Sequence, residues 1–186
     1  DEMTAGWQQS DLIIIAGRPA MGKTSFALSI AKNIAIDYRK PVAFFSLEMN
    51  NVQLINRLIS NVCEVPGSKI LSGQLSEDEW VRFDKRLPQM QGAPLYVDDT
   101  PGLSVFELRT KARRLKREHD IQLLMIDYLQ LMNANGMRFN SRQEEVSTIS
   151  RSLKGLAKEL DIPIIALSQL NRTVEQRDGL DGKRPQ

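Results

Sequence analysis

Five short runs are apolar at consecutive positions: Leu12 to Ala16, Val42 to Leu47, Leu95 to Val97, Leu123 to Ile126 and Ile164 to Leu167. Runs of four to six with no polar alternation predict strands covered by helices on both faces. Between them apolar residues recur at helical spacing. Ala27, Ile30, Ala31 and Ile34 predict a helix over 25–38, and a further one is read over 50–62. Trp80, Phe83 and Leu87 mark the next, Val105, Leu108, Ala112 and Leu115 another, and Val146, Ile149, Leu153, Leu156 and Leu160 the last, each placing one face toward a core. Three helix starts carry the Ser-x-x-Glu spacing of a capping box, Ser76 with Glu79, Ser104 with Glu107 and Ser141 with Glu144. Strand alternating with helix predicts an α/β fold with a mostly parallel central sheet and helices on both faces. Asn133 to Asn140 has turn residues and no periodicity. It follows a strand, on the edge where such sheets bind ligands.

Composition narrows this picture without redirecting it. The chain of 186 residues is 41% hydrophobic, enough for one domain with a substantial core. Its single cysteine, Cys63, lies among Ile59, Val62 and Val65, so a packed thiol in a reducing interior is expected. No apolar run reaches the ~18 residues of a membrane span, and Asp1-Glu2-Met3-Thr4 lacks a secretory pattern, so no membrane association and a cytoplasmic location are expected. A net charge of +2 is too small to indicate a polyanionic partner by itself. The chain starts almost at its first strand and stops in the polar Lys183-Arg184-Pro185-Gln186, which reads as a piece of a longer polypeptide.

Between the first strand and first helix stands Gly17-Arg18-Pro19-Ala20-Met21-Gly22-Lys23-Thr24, with Ser25 behind it, a complete G-x-x-x-x-G-K-[ST] phosphate-binding loop. Glycines let backbone N–H groups turn inward, and the helix behind adds its positive end. Lys23 would neutralise β- and γ-phosphates, and the Thr24 hydroxyl would ligate Mg²⁺.

Hydrolysis also needs a metal-side carboxylate and a residue that orients water. Asp127, ending an apolar strand, is favoured for the carboxylate; Asp98 and Asp99 have similar form, but Thr100-Pro101-Gly102 after them reads as a plain turn. They are read as starting that turn and holding the following helix. Glu48 follows the second strand and would project from the same sheet edge. There it is either a general base or merely an acid favoured at a helix start. Gln169 after the last strand is either a γ-phosphate sensor or an ordinary loop residue. Arg109, Lys111, Arg113, Arg114, Lys116 and Arg117 crowd one helix, where a solvated face accounts for them. Arg138, Arg142, Arg172 and Arg177 instead lie in or beside loops on the ligand edge, where a protein tracking a phosphate backbone would need them. His119, between Glu118 and Asp120, is read as a surface residue.

Six segments together carry a resemblance: Met3 to Trp7, Ala16 to Thr24, Phe45-Ser46-Leu47-Glu48-Met49, Asp98 to Ser104, Asp127-Tyr128-Leu129-Gln130-Leu131-Met132 with the two residues before it, and Ala166 to Arg172. End to end they resemble the RecA-like C-terminal ATPase domain of the DnaB family of bacterial replicative DNA helicases. The resemblance implies a RecA-like P-loop NTPase fold, ATP and Mg²⁺ as cofactors, and a motor that moves on single-stranded DNA at a replication fork. It implies Lys23, Glu48 and Gln169 as catalytic residues, Gly17 to Ser25 as nucleotide-binding, Thr24 and Asp127 as metal-side, and Arg172, Arg142 and Arg138 as DNA-facing. A homohexamer working with primase and a helicase loader is implied too. The family's N-terminal collar, linker helix and arginine finger have no counterpart in the 186 residues, so a single truncated domain, weak in nucleotide binding and slow in hydrolysis, is expected. Another RecA-like ring ATPase or recombinase shares the phosphate loop and Gln sensor. A nucleotide kinase would need an arginine-rich lid that is not found, and a non-catalytic nucleotide-binding module would leave Glu48 without a role.

Overall fold

The strands stand in the order β1-β5-β4-β2-β3, all parallel: β1 (Leu12–Gly17), β2 (Val42–Ser46), β3 (Leu95–Asp98), β4 (Leu123–Asp127) and β5 (Ile164–Gln169). They come from a computed structural model in which residues 6–133, 139 and 141–170 are described. Side-chain alternation divides the core in two. Ala43, Phe45, Leu124, Ile126, Ile164 and Ala166 face α5 (Val105–His119) and α6 (Arg142–Leu160), where Leu108, Ala112, Ile149 and Leu153 meet them. Val42, Phe44, Leu123, Met125, Ile165 and Leu167 face the opposite layer, α1 (Lys23–Lys32) and α2 (Asn51–Cys63), through Ala27, Leu28, Ala31 and Leu54. Continuous apolar runs are therefore required, because consecutive residues serve different layers; each fully buried Leu, Ile or Phe contributes about 1.5–3 kcal/mol.

Several expectations need adjustment. Strands β1, β3, β4 and β5 each run one or two residues farther than their apolar cores, whereas β2 stops at Ser46. Among the described residues strand β1 is an edge, and its Ile14 is 44% exposed, so the two-sided covering expected of every strand is not seen there. The first helix starts at Lys23 and its end widens into a π turn over Asn33–Asp37, with the Tyr38 N–H donating to the Asn33 carbonyl at 3.0 Å. A short helix, α3 (Gly67–Ser72), lies where the periodicity predicts none. Its Lys69 reaches the buried Glu79 at 2.7 Å. Glu79 belongs to α4 (Glu77–Arg86), where Lys69 and the Ser76 N–H hold its carboxyl down to about 2. Trp80 of α4 is not a core residue; it is 46% exposed and edge-on to Phe83, because α4 packs on α2. Both halves of the capping boxes at Ser76 and Ser104 are formed, and Ser141 accepts the Glu144 N–H. Cys63 is a buried free thiol, as expected. Among the described residues no helix is long and apolar enough to cross a membrane.

Candidate nucleotide site

All five strands point their carboxyl ends at one edge, where ligands of open parallel sheets bind. Register brings the candidates together there, with Gly17 opposite Gln169 and Ser46 opposite Asp127. The phosphate loop leaves β1 at Gly17 and enters α1 through Gly22, which has φ +79°, a left-handed conformation that favours glycine. Lys23 curls back over the loop and donates to the carbonyl oxygens of Gly17 and Arg18, both at 3.0 Å. A Cβ on Gly17 would come within 3.3 Å of the Lys23 stem, so glycine leaves the path this lysine takes. No side chain caps α1 and its first turn holds no acid, which leaves its leading N–H groups and dipole available to an anion. Between α1 and α2 beside the loop opens a groove of about 510 Å³, lined in part by Ser25, Met49, Gln53 and Arg57.

Beneath the loop, the Thr24 hydroxyl donates to Asp127 Oδ2 at 2.6 Å. Asp127 is 1% exposed, and its Oδ1 has no hydrogen-bond partner among the described residues. Burial pushes its carboxyl above the ordinary range; the Thr24 hydrogen bond opposes this, the Glu48 charge reinforces it, and Lys23 and Arg57 partly offset it. An orphaned carboxylate oxygen beside a hydroxyl, under a phosphate loop, is the donor set that a hard divalent cation takes. The described residues contain no cluster of three or more His, Cys, Asp or Glu that could hold a metal. Thr24 and Asp127 are the residues there that could hold such a cation.

Glu48 stands two residues beyond the end of β2, exposed on a tight bend. The buried Ser46 closes that bend by donating its hydroxyl to the Met49 carbonyl at 2.7 Å and accepting the Met49 N–H at 3.2 Å. The Leu47 N–H donates to the Asp127 carbonyl at 2.7 Å, tying the bend to β4. Helix α2 then begins with its own cap: Asn50 accepts the Gln53 N–H and Gln53 accepts the Asn50 N–H. The Asn51 N–H is taken by Asp99 Oδ2 at 2.8 Å. With the helix start already satisfied, Glu48 is left out of the cap. Its charge reaches both Asp127 and Tyr128, and the phenol of Tyr128 is pushed up, first by burial and then by those two carboxylates.

Asp98 starts the turn by accepting the Thr100 N–H at 3.0 Å and holds the following helix through Lys111 at 2.5 Å, both as expected; Asp99 holds α2 instead. The basic face of α5 is mostly exposed, as expected, and partly paired within the chain: Arg109 and Arg113 share Glu159 of α6, and Lys116 pairs with Asp120. His119 is exposed, as expected, and stacks on Tyr96 at 4.2 Å between ring centroids. Arg138, Arg172 and Arg177 lie outside the described residues. Arg142 is described, and its guanidinium binds the Glu145 carboxylate and the carbonyl oxygens of Gln130 and Met132.

Sequence reasoning misses Ser46, Arg57, the reach of Asp99, and Gln130. Gln130 and Arg57 stand within motif-bearing or helical stretches without a spacing of their own, so only the fold reveals them. Gln130 holds the backbone of Gln169, accepting its N–H at 3.1 Å and donating to its carbonyl at 3.2 Å.

The family model described as "DnaB-like helicase C terminal domain" matches residues 1–186. The chain is 47% identical over 185 residues to the replicative DNA helicase DnaC of Bacillus subtilis, covering 100% of this chain and 40% of that relative. It thus spans well under half the length of that relative. Among solved structures it is similar to one described as an ATPase domain, with TM-score 0.85 and 38% identity over 98% of this chain and 64% of that one. A DnaB-like replicative helicase, described with its interactions with primase, superposes with TM-score 0.84 and 38% identity, over 98% of this chain and 43% of that chain.

Proposed function

The chain belongs to the family of DnaB-like helicase C-terminal domains, and on that premise we propose that it is an ATP-hydrolysing motor domain working on single-stranded DNA at a replication fork. The observation that carries the reading is the pairing of Thr24 with the buried Asp127 beneath an uncapped helix start. Lys23 releases the loop carbonyls to meet the β- and γ-phosphates, and the N–H groups of Gly22 to Ser25 line the phosphate path. Thr24 would ligate Mg²⁺ and Asp127 would hold it through water, and the ion would supply charge neutralisation when bound. Glu48, presented by the Ser46-closed bend and outside the α2 cap, orients and deprotonates the attacking water. Gln169 reads the γ-phosphate from the adjoining strand end, opposite Gly17 at the root of the loop.

The loop arginines Arg138 and Arg172 are proposed to face the DNA backbone, whereas Arg142 at the start of α6, expected to join them, is engaged within the chain by Glu145 and the carbonyl oxygens of Gln130 and Met132. A hexameric ring, contact with primase and a loader, and a cytoplasmic location belong to the same proposal. A ring of six would let a neighbouring subunit supply a cation to each nucleotide, a contribution on the order of 10³–10⁵ in rate where arginine fingers act. The test is ATP hydrolysis by the full-length protein with and without single-stranded DNA. Strong stimulation supports a translocating motor; hydrolysis indifferent to DNA redirects the reading to a RecA-like ATPase with another partner.

A further inference from the structure

The β4–β5 ladder runs through Ile126 and Ala166 and goes no farther, yet β5 continues three residues, to Gln169. On its other side β5 stays paired with β1, Gly17 lying opposite Gln169 and the Leu170 N–H donating to the Gly17 carbonyl at 3.1 Å. The last stretch of β5 would therefore be an edge beside the phosphate loop, free to shift against it.

A side chain fills the missing place. Gln130 sits on the tight turn Leu129–Leu131 that follows β4, and its amide lies along the end of β5. Its Oε1 accepts the Gln169 N–H at 3.1 Å, while its Nε2 donates to the Gln169 carbonyl at 3.2 Å and to Ser168 Oγ at 2.8 Å. A carboxamide carries the same donor and acceptor as a peptide unit, so it can pair with one residue as a strand neighbour does. Gln130 is fixed in turn, because Arg142 at the start of α6 donates to its backbone carbonyl and to that of Met132.

We propose that Gln130 is a positioning residue, standing in for a sheet neighbour so that Gln169 keeps one height against the phosphate loop, and that Arg142 ties this clamp to the start of α6. The proposal rests on the reading of Gln169 as the γ-phosphate sensor. An amide side chain is suited to this, since it can let go of β5 without unzipping the ladder below it. Arg142 then serves as a tether within the chain, its guanidinium already occupied by two carbonyls and Glu145.

The test uses the full-length protein with Gln130→Met, Gln169→Ala and the double variant. Amide hydrogen exchange at Gln169 is read alongside kcat and KM for ATP. Gln130→Met is expected to speed Gln169 exchange about tenfold, the loss of roughly one hydrogen bond, while β4 and the body of β5 stay protected. It is also expected to lower kcat about tenfold with KM for ATP within about twofold, because a misplaced group costs rate more than binding. The double variant should be no slower than Gln169→Ala, since both act through one group. If Gln169→Ala slows turnover and Gln130→Met does not, the clamp is overturned and the sensor reading stands. If Gln169→Ala leaves turnover unchanged, the sensor reading fails and the clamp with it. Loss of protection throughout the sheet in Gln130→Met, or additive losses in the double variant, would show a general structural role and overturn the proposal.

Discussion

Helices α1 and α2 both start just past a strand end on the same edge of the sheet, yet their first turns are treated in opposite ways. The start of α2 is capped by the Asn50–Gln53 box and again by the Asp99 carboxylate. The start of α1 has neither a capping side chain nor an acid in its first turn, only Gly22 and a lysine folded onto the loop. Any helix gains from having its leading N–H groups satisfied, typically by about 1 kcal/mol per cap. Omitting the cap at α1 leaves stability unclaimed until an anion arrives, while completing it at α2 fixes the base of the bend that carries Glu48. On the proposed reading, one terminus is open to an anion and the other is held still.

Removing the cation from the open terminus is expected to have the largest effect. Lys23→Ala should lower ATP affinity and turnover by at least about a hundredfold, measured by equilibrium binding and steady-state hydrolysis, with the melting temperature of the nucleotide-free protein little changed. Weakening the closed terminus should do the reverse, costing order before binding. Asp99→Ala removes one of the two caps on α2 and should destabilise the protein by about 1 kcal/mol in urea unfolding. It should also lower kcat severalfold through Glu48, while ATP affinity stays near that of the unaltered protein. Equal losses at both termini from either substitution would erase the contrast.

A smaller effect has the opposite sign. The Asp127 carboxyl titrates above its ordinary range because it is buried, so as pH falls the folded protein takes up that proton before the unfolded chain does. Its charge therefore opposes folding at neutral pH, and the penalty fades as pH drops through the folded pKa toward the unfolded one. Asp127→Asn should accordingly raise the melting temperature of the nucleotide-free protein by a few degrees at pH 7, with the gain shrinking under acid conditions. A lower melting temperature at pH 7 would mean that the Thr24 hydrogen bond outweighs the buried charge.

Much of this contrast is legible along the chain, but unevenly. The phosphate loop, the Ser76 and Ser104 boxes and the apolar runs are local patterns, each set by neighbours a few residues apart, and the structure keeps them. Apolarity places the strand ends short because polar Asp127, Ser168 and Gln169 continue a ladder that it does not mark. Trp80 follows a helical period faithfully, but the period does not say whether the helix meets the sheet or another helix. Whether Glu48 belongs to a helix start is undecidable locally, because the rival cap comes partly from Asp99, 48 residues from the Asn51 N–H it holds. Gln130 is invisible for the same reason: its partners lie 38 and 39 residues on, across a strand pair.

The most direct test of this division of labour is Glu48→Gln in the full-length protein, with MgATP binding titrated beside single-turnover hydrolysis. If the open α1 terminus binds and the capped bend presents the base, affinity should stay within about twofold while the hydrolysis rate falls by about 10²–10⁴. Retained turnover, or affinity lost in step with it, would contradict the assignment.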